Sequence, residues 1–521
     1  MALLLGQAPD DPTAFVNQHF AEHWRENKIT PSAKCTDHEF LRRASFDLIG
    51  RIPTIPEIDA FIKDAPEQRR RLLIDRLLKH DDAPRHWANV WTDALLGMAG
   101  DAQSREAFHD WIEHHFAKYG SHKDLARKLI TVTGTTRDNP AGHFFVAYRG
   151  QMIPQGDWIR WGQYEMFTVT NQLVRVFHGR RLQCVQCHDH PFNGELRQDQ
   201  FHCMTAFFRQ VEFTGKKVGK NYIDEISDNP DFNKPAFLFY ERRNTVIQFS
   251  DPKFLDGKRV PKDFKGTRRE AVADFLTTSP WFPKAYVHRM WAHFMGHGLC
   301  ETPDADDLGE HTPVVHEKLL DRLTKAYVAS GHDGKALMRW ICLSDCYGLS
   351  SVANKTNFAP EHAVAFARQQ VRPLTNSQLI ESLLTASRTP PDERAGQRRA
   401  WLKELAKAPL SAAQECEFEP AHSLGDLPGY RMLWMLKTTA ERGMVASIVK
   451  QHAKINEAAV RDLYLHTLSR PPTPSEVKTL TNRVMYSLRK DVDPDAEEFR
   501  RDYYMDVFWA LLNSGEFALN H

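Results

Sequence analysis

Apolar side chains recur three and four residues apart along most of this chain, and Gly or Pro cuts the recurrence into separate runs. Phe40, Leu41, Ala44 and Leu48 repeat at that spacing, which is the pattern of a helix burying one face. Thr36-Asp-His-Glu39 precedes them, an acceptor side chain followed three residues on by a glutamate, as at a capped helix start. Gly50 and Pro53 end the run, and Thr54-Ile55-Pro56-Glu57 opens the next. Further stripes follow at Leu72-Leu73-Ile74 with Leu77-Leu78, at Trp87, Trp91 and Leu95, and at Phe108, Trp111, Ile112 and Phe116. These aromatics read as core residues. The expected fold class is therefore mainly α.

The pattern breaks twice. Residues 137–155 carry Asn139-Pro140, Gly142, Gly150 and Pro154 and read as a long loop. A helix from about 158 to 178 follows it. Between 211 and 265, Gly, Lys, Asp, Asn and Pro become frequent, and Phe237, Phe239 and Val246-Ile247-Gln248-Phe249 read as short strands. Helical spacing then resumes and continues to the C-terminus. The chain is thus expected to form two helical domains, 1–210 and 266–521, joined by a small β-containing connector at 211–265. Its 521 residues suffice for about three domains.

A formal net charge of +1 gives no broad pull toward nucleic acid or anionic membranes. No run of about 18 apolar residues exists to make a transmembrane segment. The opening Met1-Ala-Leu-Leu-Leu-Gly6 lacks a basic flank and reads as the remainder of a longer secretory leader. The expected location is exported, periplasmic or at the cell surface.

The most specific chemistry lies in Cys184-Val185-Gln186-Cys187-His188. Two thiols separated by two residues, with histidine next, is the attachment pattern of haem c. Each thiol adds to one haem vinyl group, and the following imidazole is placed to ligate iron. Cys184 and Cys187 are therefore expected to bind haem c covalently, with His188 the proximal iron ligand. Met204, His202, Met166 and His178 lie in the same domain as candidates for the sixth position. His190 is a further candidate metal ligand, but it is too close in sequence to reach the opposite haem face unaided, and its alternative reading is a turn residue. Zinc is the alternative cofactor, held by Cys184, Cys187, His202 and Cys203. Adjacent ligands such as His202 and Cys203 are awkward on one metal, which favours haem. A redox dithiol would normally open a helix after a strand, whereas the residues ahead of Cys184 look helical. The other six cysteines read chiefly as small buried hydrophobes, with Cys342 and Cys346 four apart on one expected helix.

Three weaker features remain. The acidic tract 301–311 offers hard oxygen ligands and a histidine, but lacks calcium-loop spacing and reads as a solvated loop. His293 and His297 would share one helix face, yet no glutamate follows His293 to complete the zinc-protease pattern. Arg42-Arg43 and Arg69-Arg70-Arg71 read as solvated helix faces. There is no Gly-rich phosphate loop and no Gly-x-Ser-x-Gly elbow.

Several segments carry a family likeness. Phe40-Leu-Arg-Arg-Ala-Ser-Phe-Asp-Leu-Ile-Gly-Arg-Ile-Pro-Thr54 resembles the opening signature of the second planctomycete cytochrome-type domain, a family of exported proteins of unknown function. Arg180-Arg-Leu-Gln-Cys-Val-Gln-Cys-His-Asp-His-Pro-Phe192 resembles its most recognisable block. The segments 289–299, 463–472 and 508–521 are similar to planctomycete domain one, which usually follows it. The chain departs from that pattern at His288, where the family usually has Asn, and at His297, where it usually has Arg. The resemblance and the motif together imply a monohaem c-type cytochrome-like protein that exchanges electrons with a redox partner protein. The alternatives are a haem- or metal-dependent enzyme acting on extracellular substrates, and a scaffold with a structural Cys/His zinc site. Oligomeric state is not encoded in any pattern found.

Overall fold

Thr36 accepts a hydrogen bond from the Glu39 N–H at 3.1 Å and caps the helix Asp37–Ile49, which ends at Gly50 in the left-handed region (φ 71°). The next helix, Ile55–Lys63, opens on a reciprocal capping box between Thr54 and Glu57. Both boundaries follow from the capping residues read in the sequence. The computed structural model describes residues 11–97, 99–149, 166–218, 221–229, 238–242, 246–302, 306–405, 436–482, 493 and 495–521. The chain is mainly α, with two helical domains joined by a small β-containing connector.

By its contacts the chain groups into two compact units that interleave along the sequence. One comprises Met1–His23, Trp87–Ser344 and Pro360–Phe366; the other comprises Trp24–His86, Asp345–Ala359 and Ala367–His521. This partition differs from the cuts at 210 and 265 expected from the sequence, because contacts made by distant segments leave no local signature.

In the first unit, Trp91 stacks on Phe177 and Tyr286, with ring centroids 6.4 and 6.1 Å apart, and Tyr286 stacks on Tyr327 at 5.0 Å. The strands Val211–Val218 and Asn221–Asp228 pair antiparallel with Phe213 opposite Ile226, and Gly134–Thr135 adds on the other edge. Arg269, fully buried on the helix Arg268–Thr278, ties that sheet down. It donates to both Asp228 carboxylate oxygens at 2.8 and 2.7 Å and to the Val132 carbonyl at 2.6 Å. A second hairpin, Leu238–Glu241 with Ile247–Ser250, sets Phe239 opposite Phe249. Phe237 lies outside the described residues.

The second unit closes around Phe46, Ile52, Leu383, Trp401, Leu463, Phe508 and Phe517. Its C-terminal strand Leu519–Asn520 pairs with Arg372–Pro373.

Four local expectations need correction. The expected loop contains a short helix, His143–Tyr148, which buries Phe144, Phe145 and Tyr148; apolar burial outweighs the local breakers. Arg42 and Arg43 are buried, not solvated, because every position from Phe40 to Ile49 is buried. The helix Trp281–Met295 stops at Gly296 (φ 75°), so His297 lies beyond it and does not share its face with His293. The helix Gly334–Cys342 ends at Cys342, so Cys346 is not its next turn.

Candidate functional site

The helix Phe167–His178 carries the chain to the Cys-x-x-Cys-His segment and stops at Gly179 (φ 67°). A Cβ at Gly179 would lie 2.9 Å from Ala285 Cβ and 3.3 Å from Leu308 Cδ1. The absence of a side chain therefore permits both the left-handed turn and the close approach of Leu308, whose N–H donates to the Gly179 carbonyl at 2.6 Å. Arg180 then lays its guanidinium over the Trp281 ring at 3.9 Å and donates to Glu195 at 3.0 Å.

Cys184 lies within a single 3₁₀ turn, Gln183–Gln186, and Cys187 follows it directly. Residues three apart eclipse in a 3₁₀ helix, which brings both cysteines to one side. Leu182 and Val185, fully buried, root the turn, and the two cysteines are exposed and free. The Gln186 carbonyl is gripped from below, accepting from Gln198 Nε2 at 3.2 Å and His202 Nε2 at 3.0 Å. Asp189 accepts the Gln198 N–H at 2.9 Å and so caps the helix Gln198–Thr205. Main-chain geometry thus fixes the turn while leaving the thiols in solvent.

His188 is half-buried, and its Nδ1 lies 2.6 Å from the Asp189 carbonyl. A carbonyl can only accept, so Nδ1 carries the proton and Nε2 keeps the lone pair that a metal needs. A backbone carbonyl in this role is the usual outer partner of a ligating imidazole. Two exposed thiols on one face, followed by an imidazole in the ligating tautomer, fit the requirements of covalent haem.

His190 takes the opposite tautomer. Its Nδ1 accepts the Phe192 N–H at 3.2 Å, and its main-chain N–H donates to the Leu196 carbonyl at 2.9 Å, so it holds the turn. Its ring lies 4.5 Å from that of His311. His311 accepts from Asn193 Nδ2 at 3.0 Å and donates from Nε2 to Asp307 at 2.9 Å.

The remaining candidates are inside the protein. His202 is buried and stacks on Tyr240 at 4.1 Å. Burial pushes its pKa down to about 4 despite the Gln186 carbonyl, and its Nδ1 has no partner among the described residues. Cys203 is buried, and burial raises its thiol to about 11. Met204 and Met166 are buried, and His178 shares a hydrogen bond with Ser279 at 3.2 Å. Among the described residues, one group of three metal-ligating side chains has ligand atoms within 4.8 Å of one another, namely His109, Asp110 and Glu113. Cys184, Cys187, His202 and Cys203 are not gathered in that way.

The model of a family described as PSCyt2, protein of unknown function (DUF1549), matches residues 15–213; that of PSD1, protein of unknown function (DUF1553), matches residues 268–416. The chain belongs to the PSCyt2–PSD1 proteins. The order of the two matches is that of the likeness read from the sequence. No curated protein and no solved structure matches the chain.

The PSCyt2 match contains both the Cys-x-x-Cys-His turn and the Arg42-Arg43 segment. The latter is structural. Asp47, 1% exposed, accepts from Arg372 at 3.0 Å, Tyr347 at 2.9 Å and Asn520 at 2.8 Å. Arg42 donates to the Thr467 and Phe517 carbonyls, both at 3.0 Å.

The acidic tract is not wholly the solvated loop expected from the sequence, because ion pairs draw part of it inside. Asp306 is buried, pairing with Arg175 at 2.6 Å and with Arg289. Asp307 holds His311 beside the motif. Their four-residue spacing was the only signal available. Residues 303–305 of that tract lie outside the described residues.

Proposed function

We propose that this protein is an exported c-type cytochrome-like carrier that passes electrons to or from a redox partner protein. In this reading Cys184 and Cys187 anchor haem c through thioether bonds, and His188 Nε2 ligates its iron. Haem, when bound, supplies a one-electron couple. The chain's own residues do the rest. Val185 and Leu182 root the turn, the Gln186 carbonyl grips fix its height, and the Asp189 carbonyl keeps the proton of His188 on Nδ1. The observation that carries the reading is the pairing of two exposed thiols on one 3₁₀ turn with that tautomer. The absence of any described helix long and apolar enough to cross a membrane is compatible with export.

The test is expression with a haem-maturation system, followed by acid-acetone extraction, a pyridine haemochrome spectrum and peptide mass spectrometry. The expected result is porphyrin that stays with the peptide containing Cys184 and Cys187. Cys184→Ser with Cys187→Ser should abolish that linkage. His188→Ala should retain a covalent porphyrin while shifting the Soret band and the reduction potential. Protein from its native host that yields this peptide with both thiols unmodified would falsify the reading.

A further inference from the structure

A second histidine cluster lies in the first compact unit, outside the Cys-x-x-Cys-His segment. His19 and His23 stand one turn apart on the helix Pro12–Glu26, and His316 precedes the helix Glu317–Ala329. His19 Nε2 is 2.9 Å from His316 Nδ1. The His316 ring centroid is 5.0 Å from that of His19 and 4.9 Å from that of His23.

His316 is 2% exposed, and its Nε2 donates to the Val364 carbonyl at 2.7 Å. That bond fixes the proton on Nε2 and turns the Nδ1 lone pair toward His19. The arrangement is the carbonyl-backed imidazole found around metal ions. Phe20 and Phe366 pack on the same ring, with centroids 5.1 and 5.8 Å away, and Trp291 stacks on Phe20 at 5.6 Å. These rings hold His316 in place. His19 and His23 are half-buried and reachable from solvent, which leaves an ion a way in.

We propose that His19, His23 and His316 form a site for a divalent transition-metal ion of the zinc class, with water completing the coordination. Three imidazoles suit zinc, copper and nickel far better than calcium or magnesium. Two histidines at i and i+4 on one helix are a standard chelating pair. Ligand nitrogens on a tetrahedral zinc are about 3.3 Å apart, so His19 and His316 need to separate by only a few tenths of an ångström. His19 moves its proton from Nε2 to Nδ1 to present a lone pair, and His23 reaches the ion by turning its side chain.

The test is a titration of the full-length chain with zinc chloride at pH 7.5, followed calorimetrically and by thermal shift. Carrying Cys184→Ser and Cys187→Ser throughout removes competing thiols. One equivalent should bind and raise the melting temperature. His19→Gln and His23→Gln should each weaken binding at least tenfold, while His109→Gln, in the separate His109/Asp110/Glu113 group, should leave it unchanged. Both substituted histidines are half-buried, and circular dichroism checks that the variants remain folded. No stoichiometric binding, or binding lost in His109→Gln but retained in His19→Gln and His23→Gln, overturns the assignment.

Discussion

Arg43 shows how one buried charge organises a helical domain. It donates to the Leu349 carbonyl at 2.9 Å, to the His521 carbonyl at 3.1 Å, to the Tyr347 carbonyl and to Glu39 at 3.0 Å, with none of its side chain in solvent. Removing it leaves three carbonyls and a carboxylate without their donor. Arg43→Ala should cost about 3–5 kcal/mol, and Arg43→Lys little less, since one ammonium cannot span the same forked set of acceptors. Arg71→Ala, at an exposed position, should stay within about 0.5 kcal/mol. Urea unfolding of the three variants decides this; equal effects at Arg43 and Arg71 would refute the clamp. The sequence did not reveal the difference, because periodicity marks which positions are apolar and is silent on polar residues of a helix buried all round. What hinted at it was the pairing of two arginines with Ser45 and Asp47 inside an otherwise apolar ten-residue run.

The turn that displays Cys184 and Cys187 is positioned by the helix before it and the helix after it. Gly179 joins the first, and its left-handed conformation leaves no room for a methyl group beside Ala285. Gly179→Ala should cost about 2–3 kcal/mol, combining left-handed strain with overpacking. It should also lower the yield of covalent porphyrin by displacing the turn. Gly194, with nothing within 4 Å of an added Cβ, should accept Ala within about 0.5 kcal/mol. Melting temperatures and haemochrome yields of the two variants test this, and the idea fails if Gly179→Ala matches Gly194→Ala on both. The helix end at His178, the Cys-x-x-Cys-His motif and the turn at His190 were all legible locally, because caps, Gly and Pro act over a few residues. The contacts of Asn193 and His190 with His311 were not. They join residues more than a hundred positions apart, and no short-range pattern records such a meeting.

Across the whole molecule, acid should act first on buried histidines and only later on the ion-paired carboxylates Glu57 and Glu476. Burial lowers His178 to about 3, and His202 and His466 to about 4, from an ordinary 6.5. These groups are neutral when folded, whereas the unfolded chain protonates them as pH falls through 6.5. Stability is therefore complete above that pH, declines between 6.5 and the folded values, and then levels off. A shift of this size is at most about 3–5 kcal/mol per group, a large fraction of the 5–15 kcal/mol typical of a domain. The carboxylates behave differently. Glu57 is held well below the usual range because hydrogen bonds from His80 and Arg51 outweigh the effect of burial. Glu476 is held at about 2, chiefly by its hydrogen bond from Arg470. Their contributions persist until pH drops below about 4.5. The urea midpoint should consequently fall between pH 7 and pH 5, before either carboxylate is protonated. His202→Gln retains a donor toward the Gln186 carbonyl and cannot titrate, so it should flatten the slope of stability against pH between 6.5 and 4. Hydrogen exchange of peptides spanning 183–205 localises the effect, and an unchanged slope in that variant would show that His202 is not one of the groups taking up protons on acid unfolding.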